Sequence, residues 1–586
     1  MGIEAVFRRR IAACAALVAA TAMLLGGCAQ TSDNGKTNAG TSNGSNDSSN
    51  SYNGPTGTST TSKDGNEQQF TPGSGKPDQT ITIASGSENK EVADAVQRAV
   101  DESNVAVTMK YMGSLDIMKV LSSGAEGYDA VWPASSMWIS MGDTKHLVKD
   151  QQSTSTTPIV FGIAKSKAVK LGWADSSGKT KTVSTADILA KVTSGDLKFS
   201  MTSATQSNSG ASAFLAFMTA LRGGSGPLTD ADLNNSALKA SVAQLLRGVD
   251  RSSGSSDWLK DMVVANPDRF DSMVNYESLV IQADKTLTKN GKDPLLAIYP
   301  SDGIAVSDSP LGYVDRSQSS DIKQAYQKFA KALTTKNAKL EFERAGRRTG
   351  LGGTLTYASD KQVKDAFRAE WGLNTDASVL KTIALPAAAT ITKALDVYQT
   401  ALRKPSWTVW VVDYSGSMRG EGKTGVVNGL NAALDPAKAA QAHIQPGDGD
   451  VNILIPFESV PHTSVRADGA NTGDLLRIAD ATPASGGTDI YRGLEAAYQQ
   501  LPDASQAGNY TTAIVLMTDG QSETDQQQAA FDQYKGLGRD IPIFSIMFAQ
   551  ADPTQLNQIA QLSNAKVFDG RSGDLADVFR TVKGFN

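Results

Sequence analysis

The chain has 586 residues, of which 40% are apolar and 20% charged, with a formal net charge of −5. That length exceeds one core and predicts three or four folded units at about 100–200 residues each. The mild charge, with no basic run interleaved with aromatics, sets nucleic-acid binding aside. The only histidines are His146, His443 and His462. None lies in a hydrolase or zinc-enzyme motif, so the chain is expected not to be an enzyme.

The N-terminus reads as a targeting segment. Arg8, Arg9 and Arg10 precede an apolar run from Ile11 to Leu25, a basic n-region and an h-region, too short for a span of roughly 20 residues. The run closes on Leu25-Gly26-Gly27-Cys28, which resembles a bacterial lipobox. The resemblance implies removal of a lipoprotein signal peptide (1–27) and attachment of lipid, palmitate included, to Cys28. The chain would then be held on the outer face of the bacterial cell membrane. The other cysteine, Cys14, leaves with the signal peptide, so no thiol pair remains for a disulfide or a zinc–cysteine site. Residues 28–78 are rich in Ser, Gly and Asn and bury too little apolar surface to order themselves. They are expected to form a disordered tether with a reach of about 40 Å.

Order is expected from residue 79. ITIASGSENKEVADAVQRAV reads strand, small-residue turn, helix, with Ser85 and Ser87 at the helix start. A strand over 105–111, a helix over 115–122 and the strand YDAVWPASS, ending at Ser135 and Ser136, follow. Strand–helix alternation of this kind predicts a parallel sheet covered by helices. TTPIVFGIAK reads as a strand crossing into a second lobe, about 160–297. There LKFSMTSATQSNSG sets Asn208 and Ser209 at a helix N-terminus, and MVNYESLVI contains Glu277. LLAIYPSDGIAV reads as the return crossing. These features resemble the periplasmic-type solute-binding proteins of ABC importers, over residues 79–380. The resemblance implies a ligand cleft between lobes, with Ser85, Ser87, Ser135, Ser136, Asn208, Ser209 and Glu277 as candidate contacts; helix capping is the alternative reading of the Ser and Asn positions. Trp132 and Trp138 are read as core residues that can also stack on a ligand. Residues 322–347 and 361–403 read as helical. A connecting helix is expected over 381–404, because basic residues and Pro405 suit its end.

The C-terminal part, 405–586, alternates strands and helices throughout. WTVWVVDYSGSM is an apolar β-branched strand that stops at Asp413, with Ser415 and Ser417 at alternate positions after it. GGTDI supplies Thr488, and IVLMTDG sets Asp519 at the end of another apolar run. Buried parallel strands place sites at their C-terminal ends, and hard divalent cations take oxygen ligands. These pieces resemble the von Willebrand factor type A domain and its metal-ion-dependent adhesion site. The resemblance implies a Rossmann-like doubly wound sheet, α/β like the two lobes before it. It also implies a bound Mg²⁺ (or Mn²⁺ or Ca²⁺) held by Asp413, Ser415, Ser417, Thr488 and Asp519. The hydroxyls would touch the ion directly, and the two Asp through water. A Glu or Asp of a protein partner would complete the coordination. Asp489 is expected to cap the following helix. Gly422-Lys423-Thr424 ends like a phosphate-binding loop, but the first glycine of that pattern would fall on Ser417.

The expected function is therefore that of a membrane-anchored surface lipoprotein. It binds a protein partner through a divalent-metal adhesion site, with a solute-binding-like module for ligand sensing or a second binding function. The alternative is a receptor delivering a small polar or anionic solute to an ABC importer. An envelope hydrolase is the third reading.

Overall fold

The computed structural model describes residues 54–63, 65–224, 226–519, 522–548, 551, 553–571 and 575–584. The signal peptide, Cys28 and the first part of the tether lie outside these residues.

The first lobe opens with β1 (Thr58–Thr61), β2 (Glu67–Thr71), β3 (Gln79–Gly86), β4 (Val105–Met112), β5 (Ala130–Trp132) and β6 (Val148–Ser153). The chain crosses to the second lobe as β7 (Thr157–Ala164). It continues through β8 (Phe199–Thr202), β9 (Val249–Ser253), β10 (Ser272–Tyr276), β11 (Leu295–Ile298) and β12 (Val306–Ser307). It then returns as β13 (Pro310–Val314). The first sheet has the order β1-β2-β4-β3-β5-β13-β6; the second runs β11-β7-β10-β8-β9, with β12 on β7. The two-lobed α/β architecture expected from the sequence is present.

The tether boundary at residue 78 needs correction. β2 pairs antiparallel with β4, setting Phe70 opposite Val107, and β1 pairs with β2. Phe70 is buried in the first lobe's core. The Asp101 carboxylate accepts N–H bonds from Thr56, Gly57 and Gly73. The segment orders because it lends backbone groups to a sheet edge and one aromatic ring to the core. An average over its polar side chains conceals both contributions.

The helical reading of 361–403 also needs correction. The helix Lys361–Ala366 is followed by single turns at Ala369–Trp371 and Ala377–Val379, and only Ala388–Val397 is regular. Gly372 sits at φ 72°, a left-handed conformation that ends a helix; Pro386, lacking an N–H, precedes the next one. The connecting segment therefore starts at Ala388, not at 381, and ends in the wide turn Tyr398–Leu402. It belongs to the second lobe. Ile391, Leu395, Tyr398 and Leu402 join that lobe's core beside Phe214 and Leu245.

The C-terminal domain contains β14 (Ser406–Asp413), β15 (Val451–Phe457), β16 (Val465–Asp468), β17 (Thr511–Thr518), β18 (Ile543–Met547) and β19 (Val567–Asp569), in the order β16-β15-β14-β17-β18-β19. All neighbours are parallel except the edge strand β16. Successive side chains of a strand point to opposite faces. Here Trp410, Val412, Val515 and Met517 pack on one face, and Val409, Val411, Ile514 and Leu516 on the other. Helices cover both faces, which is why the strands are apolar throughout.

This domain rests on the second lobe by the N-terminal ends of its strands. Buried Arg251 of β9 reaches Asp540 (3.3 Å) and the carbonyl of Asn564, which precede β18 and β19. Ser252 Oγ donates to the carbonyl of Gly584 (3.3 Å), and Lys404 to that of Val249 (3.2 Å). The C-terminal ends of the strands lie at the opposite edge, about 23 Å away along an eight-residue strand.

Candidate metal centre

Parallel pairing in register brings the strand ends together: Asp413 lies beside Phe457 of β15, and Val412 beside Met517 of β17. The loops after β14, β15 and β17 therefore leave one edge side by side. Asp413 is completely buried. Its Oδ1 accepts from the Ser415 N–H (2.7 Å) and its Oδ2 from the Thr518 hydroxyl (2.6 Å). The Ser415 and Ser417 hydroxyls lie 3.0 Å apart, and Ser417 Oγ donates to Asp519 Oδ1 (2.8 Å). Four of the five residues singled out in the sequence thus share one hydrogen-bonded set.

Thr488 is on the adjacent loop. That loop is pinned to the first by the Gly416 N–H on the Gly486 carbonyl (3.0 Å) and the Ser485 N–H on the Tyr414 carbonyl (2.8 Å). Gly486 at φ 79° makes the required turn. Thr488 is half-buried, and its carbonyl lies 3.4 Å from Ser522 Oγ. No hydrogen bond among the described residues ties its hydroxyl to the other four. Asp489 caps the helix Ile490–Tyr498, accepting from the Arg492 N–H (3.1 Å) and pairing with the Arg492 side chain (3.1 Å). Its charge is thus turned away from the set and toward the helix.

Burial pushes the Asp413 carboxyl above the ordinary range, and the Asp519 charge adds to that; bonds from Thr518 and Ser415 oppose it. Among the described residues neither carboxylate has a basic partner, and no three His, Cys, Asp or Glu side chains converge as a metal cluster, here or elsewhere. Two carboxylates linked only through a backbone N–H and hydroxyls leave negative charge uncompensated in a low-dielectric site. Oxygen-only donors of low total charge fit a hard divalent cation that keeps part of its water. Asp413, Ser415, Ser417 and Asp519 could hold such an ion, with Thr488 on the adjacent loop.

The cleft between the lobes is arranged differently. Ser85 Oγ accepts from Asn89 (3.0 Å), and Ser87 Oγ faces Ser255 Oγ across the lobes at 3.5 Å. Ser135 caps the helix Ser136–Gly142, and the Ser136 N–H donates to Asp308 (2.9 Å). Asn208 accepts from the Trp138 indole (2.7 Å) and donates to Tyr276 (3.0 Å) and Ser307 (2.8 Å). Trp138 and Trp132 are both fully buried core residues. Ser209 Oγ lies 2.8 Å from Thr202 and 2.7 Å from Ser256. Glu277 is gripped through both oxygens by Arg348 (2.7 Å each) and bonded by Tyr299. Six of the seven cleft candidates therefore have side chains bonded within the protein itself, and Ser136 is bonded through its backbone.

Arg347 and Arg348 were not singled out in the sequence. Both are fully buried. Arg347 reaches the first lobe, at Glu91, the Glu88 carbonyl (3.1 Å) and Ser309 (2.7 Å). Arg348 reaches the second, at Glu277. The dipeptide pins the two lobes at their hinge. Its only sequence signal is two adjacent arginines after Gly346.

Comparison with known families decides the C-terminal assignment: the family model of the von Willebrand factor type A domain matches residues 409–581. The C-terminal part of this chain is a von Willebrand factor type A (VWA) domain. Among solved structures, a von Willebrand factor type A protein from Catenulispora acidiphila is 20% identical, with a TM-score of 0.26, over 32% of this chain and 43% of its own length. The chain thus spans under half of that relative. The periplasmic binding protein AfuA from Actinobacillus pleuropneumoniae is 11% identical, with a TM-score of 0.36, over 52% of this chain and 97% of its own. An ABC transporter solute-binding protein from Thermotoga lettingae, solved with α-D-tagatose, is 12% identical, with a TM-score of 0.41, over 55% of this chain and 94% of its own. No curated protein matches.

Within the VWA domain, two supporting residues also escaped the sequence reading. Thr518 holds Asp413 Oδ2, and Ser522 Oγ accepts the Ile490 N–H (3.0 Å) beneath the Thr488 loop. Thr518 directly precedes Asp519, so its position at a strand end was the available signal. No helix among the described residues is long and apolar enough to cross a membrane.

Proposed function

We propose that this chain is a surface-anchored binding protein. Its VWA domain holds a divalent cation at Asp413, Ser415, Ser417 and Asp519, joined by Thr488, and captures an acidic side chain of a protein partner there. The ion, when bound, supplies an electrophile with room for one more carboxylate oxygen. The chain's residues position it: Thr518 and the Ser415 N–H fix Asp413, and Ser417 ties Asp519 to the same set. The observation that carries the reading is the pair of carboxylates linked through the Ser415 N–H and the serine hydroxyls, with no basic side chain against them among the described residues.

The lobes enter this reading as a pedestal. They hold the VWA domain by its N-terminal edge, so the metal edge faces away from them. Lipid on Cys28 and the tether after it would display that edge beyond the membrane. Capture of partners from envelope extract in Mg²⁺, in chelator, and with Asp413→Ala tests the proposal. Divalent-dependent capture lost in Asp413→Ala is expected; capture that persists in chelator overturns it. Calorimetry of the full chain against sugars, amino acids and oxyanions tests the solute-receptor alternative, and heat abolished by an Asn208→Ala substitution would favour it.

A further inference from the structure

At the other end of the VWA sheet, three cationic side chains end around one small cavity where the second lobe meets the domain. The cavity measures about 30 Å³ and is lined by Arg403, Lys404 and Lys583 together with Ser203, Ser252 and Ser406. Lys583 comes from the last turn of the helix Leu575–Gly584 and is 8% exposed. Its ammonium has no hydrogen-bond partner among the described residues; the Trp410 ring lies 5.9 Å away, and the Asp450 and Arg403 charges are near enough to act on it. Arg403 Nε and the 2%-exposed Ser406 hydroxyl are likewise buried without a partner.

The nearby carboxylates are already engaged. Asp450 takes Arg403 and the N–H groups of Ser406 (2.7 Å) and Gly447 (2.9 Å). Asp250 pairs with Arg269 (2.6 Å). Lys404 gives one bond, to a carbonyl. Arg403 and Lys583 thus share Asp450, and Lys404 shares Asp250 with Arg269, so cations outnumber carboxylates in a site removed from water. Burial of an unpaired charge is unfavourable unless an opposite charge joins it. Burial also pushes the Lys583 ammonium down to about 8 and lowers Lys404, as expected of desolvated cations. A water needs about 10–15 Å³ by this measure. The cavity therefore has room for about two waters, the space of a chloride or of one tetrahedral oxyanion. Its walls offer ammonium, guanidinium and hydroxyl donors, the set that recognises such ions.

We propose that this cavity binds a small inorganic anion — phosphate, sulfate or chloride — that joins the VWA domain to the second lobe. The inference is independent of the metal centre, which lies at the opposite edge of the sheet.

The test is calorimetric titration of the full chain with sodium phosphate, sodium sulfate and sodium chloride at constant ionic strength, balanced with gluconate. The expected result is a saturable one-site heat with at least one of the three. It should be unchanged by chelator and weakened at least tenfold in Lys583→Met. The ion that saturates tells oxyanion from halide. If Lys583→Met does not fold, Ser406→Ala, which removes only a hydroxyl, decides: about threefold weaker binding supports the site. Absence of a saturable heat with all three salts overturns the proposal, as does a heat of equal affinity in the folded variants.

Discussion

At the C-terminal edge of the VWA sheet, Asp413 and Asp519 are linked only through the Ser415 N–H and the serine hydroxyls, whereas between the lobes Glu91 and Glu277 each meet a fully buried arginine. Both regions set serines at strand ends and helix starts, and both looked like ligand sites in the sequence. The difference is in what neutralises the charge. In the cleft the chain supplies its own cations, Asn208 accepts from Trp138 across the lobes, and Ser207 and Ser209 bond to Ser256 within the second lobe. At the metal edge it supplies none among the described residues. A polar strand end is therefore a candidate site only while its charges lack a partner inside the chain.

Breaking the cleft's internal pairing should give the largest effect. Arg348→Ala leaves Glu277 buried without its cation, a change that costs about 3–5 kcal/mol for a buried pair. Urea unfolding followed by tryptophan fluorescence should show that loss, and Arg348→Met combined with Glu277→Leu should recover most of it. A loss below about 1 kcal/mol would mean that the arginine is not the counter-charge it is taken to be.

Glu88 sharpens the comparison from inside the same cleft. Burial raises its carboxyl from 4.5 to about 7, against the Arg347 charge and helped by Glu91 and Asp257; its Oε1 has no partner. A raised acid binds its proton more tightly in the folded state. Its contribution to stability is thus complete below about pH 4.5 and disappears as pH rises through about 7. Glu88→Gln should stabilise the protein at pH 7.5 by about 3 kcal/mol, at roughly 1.4 kcal/mol per unit, and flatten the profile between pH 4.5 and 7. An unchanged profile would place the titration elsewhere.

The smallest effect is expected at the metal edge's support. Thr518→Val removes one hydrogen bond to Asp413, worth about 1 kcal/mol. It should weaken Mg²⁺ binding by about fivefold, read by calorimetry, without altering the fold. Full loss of binding, or none, would show that Thr518 does something other than orient that carboxylate.

The same contrast explains what could be read in advance. The VWA strands announce themselves as β-branched runs such as Val409–Val412 and Ile514–Met517, and the motif residues sit directly at their ends, so the site followed from local signals. β16, four residues VRAD at an exposed edge, and β1–β2, nearly all polar, have no such pattern. They are held by backbone pairing, which side chains do not encode. Arg348 and Glu277 are 71 residues apart and Arg347 and the Glu88 carbonyl 259 apart. Nothing local tells that the cleft's acidic residues are already taken, and the seven cleft candidates therefore read as ligand contacts.

The central claim is that the Asp413 set holds a divalent cation. The most direct measurement is calorimetric titration of Mg²⁺ into the chelator-treated full chain and into Asp413→Ala. One saturable site is predicted for the native chain, absent in the variant. No saturable heat in the native chain, or the same heat in both, would contradict it.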